Sequence, residues 1–70
     1  MIQVILYGVY IVNPQGEETR LRGHSLITEL MRTVESERDR LTRQGRGFKV
    51  MTYKETWDGM NLVKKEAWSL

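Results

Sequence analysis

Cysteine is absent from these 70 residues, and proline and histidine occur once each. A disulfide framework, a thiolate metal site and a cysteine nucleophile are therefore excluded. A zinc site would have to surround His24 with carboxylates alone, an unusual ligand set for that metal. Charge of one sign is also lacking: 11 Lys and Arg face 9 Asp and Glu, a net +2 that by itself demands no polyanionic partner. Long apolar runs are missing too. The longest, Met1 to Val12, has no leading Lys or Arg and stops at Asn13-Pro14, short of the about 20 residues a membrane span needs and without the basic start of a secretory signal. No membrane association is expected, and the absence of thiols fits a cytoplasmic location.

What remains is globular composition, 40% hydrophobic and 29% charged, in a chain long enough for one domain, residues 1–70, with a thin core. Residues 2–12 (IQVILYGVYIV) are apolar on both alternating sets, the pattern of a strand covered on both faces. Gly8 interrupts it and predicts a bulge or a close backbone approach. Asn13-Pro14-Gln15-Gly16 reads as a turn leading into a short, charged edge strand, Glu17 to Arg22. Ser25 is the expected N-cap of a helix reaching about Arg43, with Leu26, Ile27, Leu30, Met31, Val34 and Leu41 on one face. Gly45 is its expected stop. Asp58-Gly59 between Phe48 to Trp57 and Met60 to Trp68 predicts a type I′ hairpin, which pairs Trp57 with Met60, Glu55 with Leu62, Tyr53 with Lys64, Met51 with Glu66 and Lys49 with Trp68 on one face.

The resulting expectation is an α+β fold, ββαββ, with a four-stranded, mainly antiparallel sheet in the order 2-1-3-4 and one helix on one face. Strand 1 has two apolar faces and only one helix to cover them, so a second copy of the chain is expected on the other.

No constellation points to catalysis. His24 and Ser25 are merely adjacent, without the third orienting group a nucleophile and base pair needs. The acids Glu35, Glu37 and Asp39 alternate with arginines and lack calcium-loop spacing. Gly45 and Gly47 follow a helix instead of introducing one, so no phosphate loop is present. Catalytic, cofactor and metal residues are therefore read as none.

Two surfaces stand out. The hairpin face carries Tyr53, Trp57, Met60 and Leu62 among charges of both signs, a composition typical of protein interfaces. With Tyr7 and Val9 of strand 1, these residues form the expected protein interface. The second surface is the basic stretch Arg38, Arg40, Arg43, Arg46 and Lys49, which could neutralise phosphates. Within it, Arg46-Gly47-Phe48-Lys49-Val50-Met51-Thr52-Tyr53 is similar over eight residues to the RNP1 pattern of RNA-recognition motifs. Lys49 and Val50 depart from that pattern, strand 1 has no RNP2 counterpart and ββαββ is not that family's order, so the chain is not assigned to it. The functional expectation is a non-enzymatic, homodimeric protein-binding module, a modulator or inhibitor of a larger machine of the kind phages encode. Nucleic-acid binding through the basic stretch is the alternative.

Overall fold

The computed structural model describes residues 2–69; Met1, which opens the apolar run, and Leu70 lie outside. The chain forms β1 (Gln3–Val12), β2 (Glu18–His24), α1 (Ile27–Gln44), β3 (Lys49–Asp58) and β4 (Asn61–Ala67). The sheet order is β2-β1-β3-β4, and each neighbouring pair is antiparallel. The expected α+β architecture is the observed one.

The first turn closes as its residues dictate. The side-chain oxygen of Asn13 accepts from the backbone N–H groups of Gln15 at 3.0 Å and Glu17 at 2.8 Å, and Gly16 supplies a positive φ of 89°. The helix ends at Gly45, whose left-handed φ of 64° lets its N–H bond to the Leu41 carbonyl. Its start differs from expectation. Leu26, not Ser25, is the N-cap, in extended conformation and without a side-chain cap, because β2 runs on to His24 opposite Tyr7 and leaves Ser25 only as the link.

Leu30 and Val34 of α1 close on Val9, with Tyr7, Val50 and Trp68 packed around them. The helix therefore lies on the face of β1 that carries Tyr7, Val9 and Ile11. Val9 is wholly buried and Tyr7 stacks on Trp68 with ring centroids 4.9 Å apart. This corrects the expectation that Tyr7 and Val9 lie at an interface: the helix uses that set as core and leaves the set containing Val4, Leu6 and Tyr10 as the open face.

The second hairpin is also corrected. Asp58 pairs with Asn61 and Trp57 with Leu62, so Gly59 and Met60 form the tip, and an irregularity follows before Thr56 pairs with Lys64. Val63 is the extra residue on β4. Because side chains alternate with a period of two, one inserted residue turns the rest of the strand over. Lys64, Glu66 and Trp68 go to the helix side, and Lys65 and Ala67 to the open side. Trp57 and Trp68 thus lie on opposite faces of the sheet.

Candidate functional site

The open face is built around a buried carboxylate. Glu55 is fully buried, and its oxygens accept from Arg20 Nη2 at 2.9 Å, Arg20 Nε at 3.1 and 3.3 Å, Trp57 Nε1 at 3.2 Å and the Tyr10 hydroxyl. The carboxylate lies over Gly8: a Cβ added there would stand 2.6 Å from it. The Arg20 guanidinium lies over Gly23 in the same way, and Gly23 is Gly8's partner across β1 and β2. The paired glycines make the trough that admits the ion pair. The close approach expected at Gly8 is present, and the β1–β2 ladder also slips one position between Val9 and Tyr10.

Electrostatics follow from that geometry. Burial pushes the Glu55 carboxyl up, but the hydrogen bonds from Arg20, Tyr10 and Trp57 outweigh it and hold the group below its ordinary range. Burial and the bond to Glu55 push the Tyr10 hydroxyl up to about 12. A carboxylate so stabilised, with donors at both oxygens, is a poor proton acceptor and acts here as a clamp. Cations complete the layer. The Arg20 guanidinium sits 5.2 Å from the Trp57 ring centroid, and Lys65 Nζ stands 4.2 Å from the rings of both Tyr10 and Tyr53 and 3.6 Å from Glu18.

Towards the hairpin tip this polar layer gives way to apolar surface. Val4, Leu6, Arg20, Trp57, Gly59 and Met60 line an open cavity of about 370 Å³. Met60 is 95% exposed and Leu62 41%. The structure therefore brings Trp57, Met60 and Leu62 together at one end of the open face, with Tyr53 further along it; Tyr7 and Val9 belong to the other side. Sequence reasoning missed Arg20, Tyr10 and Glu55 as a unit. Gly8 was the one signal, since a glycine amid an apolar strand announces that something approaches the backbone.

The basic stretch is dispersed. Arg40 pairs with Glu37 at 2.6 Å and Arg43 with Asp39 at 3.1 Å, while Arg38, Arg46 and Lys49 make no ion pair among the described residues. Arg38 and Lys49 border a cleft between the end of α1 and the start of β3, floored by Leu41, Phe48 and Val50. His24 Nε2 lies 2.8 Å from the Thr33 hydroxyl and joins β2 to the helix. Among the described residues no three His, Cys, Asp or Glu side chains gather into a metal site, and no helix is long and apolar enough to cross a membrane. No protein family, curated protein or solved structure matches the chain.

Proposed function

We propose that this chain is a non-enzymatic, cytoplasmic protein-binding module that works as a homodimer and modulates or inhibits a larger macromolecular machine, as small phage-encoded proteins do. The observation that carries the reading is the apolar end of the open face, where Val4, Leu6, Trp57 and Met60 line a cavity beside a charge-neutral Arg20–Glu55 pair, with Leu62 exposed opposite Trp57 on β4. A half-buried tryptophan and an exposed Met beside a guanidinium are what protein interfaces concentrate at their centres. The Glu55 clamp fixes Arg20 and Trp57 before any partner arrives, which lowers the entropic cost of binding.

The test is affinity capture from the native host with the unaltered chain and with a Met60→Asp/Leu62→Asp variant, followed by mass spectrometry. A partner retained only by the unaltered chain supports the reading; equal capture by both overturns it. Nucleic-acid binding is the second reading, favoured by Arg38, Arg46 and Lys49, which make no ion pair among the described residues. It predicts steeply salt-dependent binding of DNA or RNA that Arg43→Glu/Arg46→Glu abolishes, and the absence of any binding at low salt eliminates it.

A further inference from the structure

β1 is ten residues long, but its two neighbours cover it unequally. β3 pairs with all of it, from Gln3 to Val12, whereas β2 pairs only with Tyr7 to Val12. The second hydrogen-bonding edge of Gln3–Leu6 therefore has no strand partner among the described residues. Natural edges are usually protected by charge, proline or a bulge. This one has none of these: the first charged side chain in the sequence is Glu17 and the only proline is Pro14. Apolar side chains flank the edge on both faces. Ile2 is 83% exposed, Val4 48% and Ile5 47%. Leu26 and Ile27, also exposed, open the helix with only Ser25 between them and His24, the residue that ends β2.

We propose that this edge pairs antiparallel with the same edge of a second copy, joining two β4-β3-β1 sheets into one six-stranded sheet across a twofold axis. The proposal deepens the homodimer reading above by naming its contact. An uncharged, two-faced apolar strand is complemented by another uncharged strand, and the chain itself supplies one. Antiparallel pairing about a twofold axis is self-complementary. Such an axis stands perpendicular to the sheet, so residues of one face must meet residues of the same face, and a single residue lies opposite itself. His24 already occupies the place beside Tyr7, which limits how far the two strands can overlap. The longest register free of that collision sets Val4 opposite Val4, Gln3 opposite Ile5 and Ile2 opposite Leu6. Ile2 of one copy then covers Leu6 of the other, beside the cavity that Leu6 and Val4 line with Trp57, in the strand-addition mode that couples main-chain bonds to a side-chain pocket.

The test uses the purified chain alone, so its outcome is separate from that of partner capture. Sedimentation equilibrium at micromolar concentration should show a dimer. Val4→Lys places like charges at the axis and should raise the dimer dissociation constant by about 100-fold, as should Val4→Glu; mixing the two should restore association. Because the chain has no cysteine, Val4→Cys should oxidise to a covalent dimer while Met60→Cys, at the hairpin tip, should not. That pair of variants keeps the test decisive even if Val4→Lys fails to fold. A monomer at millimolar concentration overturns both the edge pairing and the homodimer. A dimer in which Val4→Cys does not cross-link overturns the edge pairing alone.

Discussion

Gly8 and Gly23 face each other across β1 and β2, and the ion pair of Glu55 and Arg20 occupies the space their missing side chains leave. In an ordinary strand Gly→Ala gains roughly 0.5–1 kcal/mol from the backbone entropy glycine loses on folding. At Gly8 the sign should reverse, because the new methyl meets a carboxylate pinned by three side chains, Arg20, Tyr10 and Trp57; a loss of about 1–3 kcal/mol is expected, as for other overpacked sites. In a Glu55→Ala background the same substitution should be neutral or stabilising. Urea melts of the two single variants, the double variant and the parent give the coupling directly.

Removing the carboxylate itself should be severe. Glu55→Ala leaves Arg20, Tyr10 and the Trp57 N–H facing an unoccupied trough, and losing one partner of such a buried pair costs about 3–5 kcal/mol. Against a total stability of roughly 5–15 kcal/mol for a small domain, circular dichroism should show a variant that melts far below the parent. Retention of the parental midpoint would mean that the clamp is not stabilising.

Stability should fall at both ends of the pH scale, for opposite reasons. Glu55 titrates in the folded chain below its ordinary value of 4.5, so its contribution is complete above that pH and disappears as the pH drops through the folded value. Tyr10 titrates at about 12 instead of 10.0, so the folded state holds its proton longer. That contribution is complete below pH 10 and is lost as the pH rises towards 12, by roughly 3 kcal/mol. Urea midpoints across the two windows check this. Tyr10→Phe should flatten the alkaline limb and Glu55→Gln the acid limb.

The two tryptophans should separate by face. Trp68 packs on Tyr7 and the Val9–Leu30–Val34 core, and Trp68→Ala should cost about 3 kcal/mol. Trp57 lies half-buried on the open face; Trp57→Ala removes one donor to Glu55 and the ring beneath Arg20, a loss of about 1.5–3 kcal/mol as for other hydrogen bonds to charged groups, while binding of the captured partner should disappear. Thermal melts paired with the capture assay distinguish the two. Equal thermal losses with binding unchanged would count against the open face as an interface.

Val63 offers a check on the hairpin. Deleting it should leave the fold intact, because the remaining residues keep their partners and regain strict alternation; Trp68 should stay in the core with a blue-shifted emission. If the strands instead followed the register counted from Asp58-Gly59, Trp68 would stand opposite Lys49 on the open face of the parent, and the deletion would carry it to the helix side and shift its emission to the blue.

The strands, the helix and their order were legible from the chain because each rests on short-range causes. Val, Ile and Tyr crowd residues 2–12, the three-four spacing marks α1, Asn13 and Gly45 place a turn and a stop, and a central strand with two apolar faces implies the order 2-1-3-4. The choice of face was not legible. Tyr7, Val9 and Ile11 are as apolar as Val4, Leu6 and Val12, so alternation alone cannot say which set α1 covers. The decision comes from Glu55, which pairs opposite Leu6 and finds room only over Gly8, on the face the helix leaves open. Register had a similar limit: the extra residue Val63 reverses the facing of Lys64, Glu66 and Trp68, and it follows from Trp68 being worth more against Tyr7 and Val9 than a regular ladder would return. Short-range patterning specifies elements and their sequence of pairing; which side of a sheet is buried depends on contacts between residues as far apart as Arg20 and Glu55, and those exist only once the chain has closed on itself.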